Sequence, residues 1–197
     1  MEQDITGAVI AGGASRRFGS PKAFAKKDGK AFYQISIAVL RPLVNKIFLV
    51  TSPALAACFR HDDTDVKIIE DVPHYQGDGP LAGIYSAMTS CETEWLLTLP
   101  VDVPFMKSDV LEVLLREMGD EIDAVIPIVD EKMQVLVGLF RCTIKDKIKT
   151  QLDQEERKVD HLLKKIATRY VKIDDTKAFF NINRQSEYHK YVANIEH

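Results

Sequence analysis

The sequence predicts an α/β protein: a single doubly wound, mainly parallel sheet flanked by helices, with residues 1–197 as one domain. Three observations carry this expectation. Short, almost continuously apolar runs alternate with segments of helical spacing, the pattern of βαβ units. The runs lack the apolar–polar alternation of a half-exposed sheet, so both of its faces must be covered. The 197-residue chain is 46% hydrophobic and 28% charged, the balance of one globular core, and no repeat, low-complexity tract or linker divides it.

The elements follow in order. GAVIA (7–11) reads as the first buried strand, and AFYQISIAVLRPLV (31–44) places Tyr33, Ile37, Leu40 and Leu43 on one helical face. KIFLVT (46–51) is the second strand, ALAACFR (54–60) a short helix and VKIIE (66–70) the third strand. LAGIYSAMTS (81–90) reads as a helix, WLLTLP (95–100) as the fourth strand, and SDVLEVLLREM (108–118) as a helix with Ser108 as its expected N-cap. AVIPIV (124–129) and QVLVGLFR (134–141) continue as strands. The short link DEKM between them leaves room for an antiparallel second partner. KDKIKTQLDQEERK (145–158) reads as a solvated helix and turn, and 185–192 as a last helix.

Bulk properties exclude several functions. A net charge of −3 gives no general attraction for nucleic acid or an anionic membrane, so any anion recognition must be local. No apolar run approaches the roughly 20 residues that span a bilayer. Glu2 and Asp4 stand where a signal peptide would carry basic residues. Cys58, Cys91 and Cys142 are scattered, outside any ligand spacing, and read as reduced packing cysteines of a cytoplasmic protein.

In a doubly wound sheet, ligands sit at the carboxyl ends of the strands. Four exits stand out: AGGASRRFGSPK after the first strand, EDVPHYQGDGPLAGI (70–84) after the third, LPVDVPF (99–105) after the fourth, and NINR (181–184) after Phe179 and Phe180. Gly12 and Gly13 allow backbone N–H groups to approach a ligand, while Arg16, Arg17 and Lys22 supply charge for a polyphosphate. The spacing is neither a Walker A loop nor G-x-G-x-x-G. A glycine turn with a solvated basic segment is the plain alternative. Asp102, stiffened by Pro100 and Pro104, suits Mg²⁺ shared with phosphate oxygens, or else a turn or helix cap. Asp71 is a candidate of the same kind or an Asx-turn residue. Gly79 and Gly83, around Pro80 and Leu81, would admit a flat base against the backbone, or simply start a helix. Asn181 and Asn183, two apart in an extended segment, would share one face. The scattered histidines, His74 among them, read as surface groups, and no Ser or Cys nucleophile is evident.

At this point the motifs carry a resemblance. IAGGASRRFGSPK resembles the L-A-G-G-x-S-x-R-M-G-x-x-K signature of the sugar-nucleotide-pyrophosphorylase-like nucleotidyltransferases. IIED with GPLAGI, LPVDVPF (resembling P-x-D-x-P-F/Y) and FFNINR (resembling F-x-N-x-N-T) extend it nearly end to end, toward the molybdenum cofactor guanylyltransferases, the MobA family. The resemblance implies a Rossmann-like nucleotidyltransferase fold and transfer of GMP from GTP to molybdopterin or Mo-molybdopterin. It implies GTP contacts at Ile10, Ala11, Gly12, Gly13, Lys22, Asp71 and Asp102, and Mg²⁺ at Asp102. Lys22, Asp102, Arg16, Asn181 and Asn183 would carry the chemistry. Other cofactor-biosynthesis proteins and acceptor apo-enzymes are the implied protein partners.

The match has departures. Phe18 replaces the usual Met, Thr51 and Ser52 stand where a relative places a nucleotide-contacting Asn, and MQVLVGLF lacks a Pro common before that strand. A cytidylyl or sugar-nucleotide transferase of the same superfamily, and a non-catalytic nucleotide-binding regulator, are the alternatives at this stage.

Overall fold

A computed structural model of the chain describes residues 4–12, 18–59 and 65–192. In chain order, β1 (Ile5–Ile10) precedes a small hairpin, β2 (Lys26–Lys27) and β3 (Lys30–Ala31). Then come α1 (Phe32–Leu40), β4 (Lys46–Thr51), α2 (Pro53–Ala56), β5 (Val66–Glu70), α3 (Pro80–Ser90), β6 (Trp95–Pro100) and α4 (Ser108–Leu115). β7 (Ala124–Val129), β8 (Lys132–Met133), β9 (Gly138–Arg141), α5 (Lys145–Asp153), α6 (Val159–Leu163), β10 (Thr168–Lys172) and α7 (Gln185–Tyr191) complete it.

The main sheet runs β10-β7-β9-β6-β1-β4-β5, with β8 paired to the end of β7. β4 and β6 flank β1 in parallel, β5 continues parallel to β4, and β10 is parallel to β7. β9 alone on the main path is reversed, antiparallel to both β6 and β7. The mainly parallel sheet is therefore as the sequence predicts, including the antiparallel placement of the 134–141 run. From β1 the chain moves outward through β4 to β5, then returns to β6 on the other side of β1. That reversal opens a crevice at the carboxyl ends of β1 and β6.

Strand alternation splits the core into two layers. Val9, Leu49, Leu97, Leu99, Val125 and Leu139 pack with Phe32, Leu40, Leu111 and Leu114 on the α1 and α4 side. Ala8, Phe48, Val50, Leu96, Ile126 and Phe140 pack with Leu81, Ile84, Ile148, Leu152 and Leu162 on the α3, α5 and α6 side. Each fully buried Leu or Phe contributes about 1.5–3 kcal/mol. With both faces covered, the strands have no need of polar residues, and this explains their continuous apolar runs.

Several boundaries differ from the sequence expectation. The 31–44 helix ends at Leu40 and tightens into a 3-10 turn, Arg41–Leu43, because Pro42 cannot continue an α-helix. The helix at 54–60 is the single turn Pro53–Ala56. Ser108 is not an N-cap: Lys107 holds that position, and the Ser108 hydroxyl donates instead to the Val39 carbonyl at 2.8 Å, tying α4 to α1. Phe179 and Phe180 do not end a strand, since Thr176–Phe179 is a 3-10 helix capped by Asp175, whose carboxylate accepts from the Ala178 N–H. Only Gly138–Arg141 of the 134–141 run enters the sheet. A Cβ on Gly138 would fall 2.6 Å from Ile126 Cδ1 and 2.8 Å from the Val125 carbonyl oxygen, so glycine is what lets β9 slide in beside β7. β10 escaped the sequence reading because it is a polar edge strand, exposed along Arg169 and Tyr170. Among the described residues, no helix is long and apolar enough to cross a membrane.

Candidate active site

Backbone hydrogen bonds stitch the strand exits together beyond the sheet proper. The Ala11 N–H donates to the Val50 carbonyl at 2.8 Å, Asp71 to Thr51 at 3.2 Å, and Val101 to Ile10 at 3.2 Å. The ladder thus runs one residue past the ends of β1, β5 and β6 and fixes Ala11, Asp71 and Asp102 relative to one another. The Ile182 N–H donates to the Asp102 carbonyl at 2.8 Å, which pins the NINR segment to the same place. Ile182 is fully buried, so its neighbours Asn181 and Asn183 both turn toward the cleft, as a two-residue alternation requires.

At the centre is a compact polar cluster. Lys22 Nζ lies 2.9 Å from Asp102 Oδ2 and donates to Asn183 Oδ1 at 2.8 Å. The two charged side chains are only 15% and 21% exposed, so the pair is shielded from bulk water without being sealed from it. Glu187 reaches back from α7 and accepts from the Asn183 and Arg184 N–H groups at 2.7 and 2.9 Å, which steadies the asparagine from behind.

Two cavities meet at this cluster. One, of about 190 Å³, is lined by Ile10, Ala11, Gly12, Lys22, Pro80 and Asp102. The other, of about 240 Å³, is lined by Asp102, Gln134, Val135, Leu136, Asn181 and Asn183. Pro100 and Leu136 also belong to both walls. The 134–137 stretch read as strand is therefore a loop over the cleft. The buried Thr98 hydroxyl holds it by donating toward the Leu136 and Gly138 carbonyls at 3.0 and 3.2 Å.

The sequence-predicted residues fall out unevenly. Ile10, Ala11, Gly12, Lys22 and Asp102 line the first cavity, and Asp102, Asn181 and Asn183 the second. Gly13 and Arg16, with Arg17, lie outside the described residues. Asp71 is set beside the first cavity: a Cβ on Gly83 would sit 3.7 Å from Asp71 Oδ1 and 3.8 Å from Ile10 Cγ2. Burial alone holds the Asp71 carboxyl up at about 6, against an ordinary 3.8. Gly83 itself is explained by packing, its missing Cβ being 3.4 Å from Val50 Cγ1, so it admits the sheet and not a ligand. Gly79 is the conformational glycine, at φ 80° just before α3. Gly12 has no steric need for glycine on the protein side, since its missing Cβ would make only ordinary contacts of 3.6 Å or more.

The 145–158 segment is more than the solvated face the sequence suggested. The Tyr75 hydroxyl donates to Asp153 Oδ1 at 2.5 Å, and Arg157 Nε donates to Asp78 Oδ1 at 2.6 Å. Both bonds clasp the 72–79 loop from the α5 side. They join residues 78 and 79 positions apart, so no local pattern could have disclosed them.

Among the described residues, no three His, Cys, Asp or Glu side chains gather into a metal site. The hard-oxygen donors Asp102, Asn181 and Asn183 suit a divalent cation that completes its shell with phosphate and water. They do not suit a closed, thiolate-rich zinc site.

The profile of the MobA-like NTP transferase domain matches residues 7–171. The chain belongs to the MobA-like NTP transferase family. Among its curated relatives, a probable molybdenum cofactor guanylyltransferase of Geobacillus sp. (strain WCH70) is 38% identical over 193 residues, covering 96% of this chain and 98% of the relative. Among solved structures, molybdopterin-guanine dinucleotide biosynthesis protein A from Archaeoglobus fulgidus superposes with a TM-score of 0.78 at 23% identity, covering 96% of this chain and 98% of that one. The fold is wider than that chemistry. A 4-diphosphocytidyl-2C-methyl-D-erythritol synthase from Anaerococcus prevotii superposes with a TM-score of 0.75 at 12% identity over 100% of both chains. In this MobA-like transferase, then, the architecture is that of a nucleotidyltransferase, and the choice of base and acceptor rests with the cleft residues.

Proposed function

We propose that this protein transfers GMP from GTP to the terminal phosphate of molybdopterin, or of its molybdenum-loaded form, releasing pyrophosphate and forming a guanine dinucleotide cofactor. The observation that carries the proposal is the meeting of two cavities at one carboxylate. A nucleotide fills the Gly12 and Lys22 side, an acceptor fills the Asn181 and Leu136 side, and their phosphates converge at Asp102. The names of the curated relatives support the same reading.

Joining two anions requires charge neutralisation and alignment more than proton transfer, because a phosphate monoester is already ionised near neutral pH. Lys22 binds the triphosphate, the backbone at Ala11 and Gly12 approaches it closely, and Asn183 orients the reacting phosphates through a neutral amide. Asp102, with the asparagine amides, would hold Mg²⁺, which when bound offsets charge on the α-phosphate. The test is turnover with molybdopterin, Mg²⁺ and each of the four nucleoside triphosphates, with the product identified by mass. The guanine dinucleotide is expected. A cytosine dinucleotide formed in preference to it would move the protein to cytidylyl transfer.

Asp71 is the carboxylate proposed to accept from guanine N1–H and N2–H₂. Its carboxyl stands at about 6 in the nucleotide-free protein, so two things follow with definite sign. First, its contribution to stability is complete below pH 3.8 and is lost as pH rises through about 6, because ionising it in the fold is opposed by burial. Second, guanine donors favour the ionised form, so GTP affinity falls as pH drops below about 6, with proton release on binding. Calorimetry from acidic to neutral pH on the wild type and Asp71→Asn isolates this effect from titration of the γ-phosphate. Identical pH profiles for the two proteins would remove Asp71 from base recognition.

A further inference from the structure

Two of the three cysteines, read from sequence as unrelated packing residues, meet at the opposite end of the sheet. Cys91 follows the last turn of α3, and its N–H donates to the Met88 carbonyl at 3.4 Å. Cys142 follows β9, and its N–H donates to the Glu94 carbonyl at 2.8 Å. The Cys142 thiol donates to Cys91 Sγ across 3.3 Å, between residues 51 positions apart. Thr93 Oγ1 lies 3.0 Å from Cys91 Sγ and 2.9 Å from Thr6 Oγ1, so hydroxyls surround the sulfur. Both cysteines are half-buried, whereas Cys58 is exposed.

We propose that Cys91 and Cys142 are a hydroperoxide-reactive thiol pair that closes to an intramolecular disulfide. Backbone bonds tether both residues, and the sulfurs already lie 3.3 Å apart, so about 1.3 Å of approach brings them to the S–S bonding distance of about 2.0 Å. The thiol bond from Cys142, aided by Thr93 and Thr6, holds Cys91 below the usual thiol range although burial opposes this. Cys142 is held high by the same bond and by burial, so Cys91 is the attacking sulfur and Cys142 the resolving one.

The reaction balances with hydrogen peroxide as oxidant. The Cys91 thiolate attacks one peroxide oxygen, the O–O bond breaks, and the departing hydroxide takes a proton from solvent to leave as water. Cys91 is then a sulfenic acid. Cys142 sulfur attacks Cys91 sulfur, the S–O bond breaks, and the hydroxyl leaves as a second water with the Cys142 proton. Two thiols have lost two electrons in total, and one peroxide has gained them.

The pair lies one full length of α3, 11 residues or about 16 Å, from the Gly79 end that borders the cleft. It is thus a site separate from nucleotidyl transfer. The experiment treats the reduced full-length protein with one equivalent of hydrogen peroxide, blocks the remaining thiols, and maps peptides by mass without reductant. A Cys91–Cys142 linked peptide lacking two hydrogens, lost on adding dithiothreitol and formed while Cys58 remains blockable, is expected. Cys58→Ser should form the same link, and Cys142→Ser should instead accumulate a sulfenic acid at Cys91 that a dimedone probe captures. Recovery of Cys91 and Cys142 as blocked thiols while Cys58 is oxidised would overturn the proposal. So would conversion of Cys91 to sulfinic acid without a link. Both readouts on the unsubstituted protein are independent of whether any variant folds.

Discussion

Asp102→Asn is expected to lower turnover by about 10²-fold or more while leaving a folded protein. The change is nearly isosteric, and the new amide oxygen can still accept from Lys22 Nζ, which lies 2.9 Å from the carboxylate oxygen now. Loss of charge from this shielded pair costs about 1 kcal/mol, a fall of about 2–4 °C in melting temperature for a chain of this size. The large effect on rate has a different origin. Among the described residues Asp102 is the carboxylate lining both cavities, so its charge is placed to anchor a divalent cation between donor and acceptor phosphates. Wild-type turnover by the Asn variant at ordinary Mg²⁺ would remove Asp102 from that role. A collapse of the melting temperature would instead assign it a structural one.

Lys22→Ala is expected to reduce kcat/KM for GTP by about 10²-fold, with no recovery at saturating Mg²⁺. In the nucleotide-free protein the Lys22 ammonium lies between Asp102 and Asn183, where it already satisfies both oxygens. A divalent cation seated at the Asp102 carboxylate competes with Lys22 for it, and the displaced ammonium can then turn to the triphosphate. This exchange gives the variant an effect of opposite sign. Without nucleotide, Lys22→Ala should bind Mn²⁺ or Mg²⁺ more tightly than the wild type, because the competing cation is gone. Weaker or unchanged metal affinity, measured by calorimetry alongside turnover, would separate Lys22 from the metal-binding carboxylate.

Much of this site was legible because its parts are local in sequence. The ends of β1, β5 and β6 announce themselves as apolar runs that break into Gly, Pro and Asp, and the alternation of Asn181 and Asn183 about Ile182 follows from extended backbone alone. What escaped notice depends on contacts between distant segments. Val135 and Leu136 look like strand, but the Thr98 hydroxyl holds the Leu136 carbonyl, and the sheet begins only at Gly138, which fits tightly against β7. Arg157 looks like one more solvated charge until its bond to Asp78 is seen. Ser108 carries a good capping side chain, yet a carbonyl from α1 competes for its hydroxyl and wins. The pairing of Cys91 with Cys142 likewise has no short-range signature.

The reversed strand β9 also bears on how the chain acquires its shape during synthesis. β6, finished at residue 100, pairs with β1 on one side, but its other partner does not exist until residues 138–141 have been made. β7 cannot substitute, because β9 must be inserted between the two. A ribosome-bound chain therefore carries the open backbone edge of Trp95–Pro100, apolar but for Thr98, for some forty residues of elongation. At the usual pace of about 5–20 residues per second, that is an exposure of a few seconds. Closure of the sheet core then hinges on a four-residue strand whose first residue must be glycine, so the quality of nascent folding is set by a residue next to the cleft wall that itself bears no reactive group.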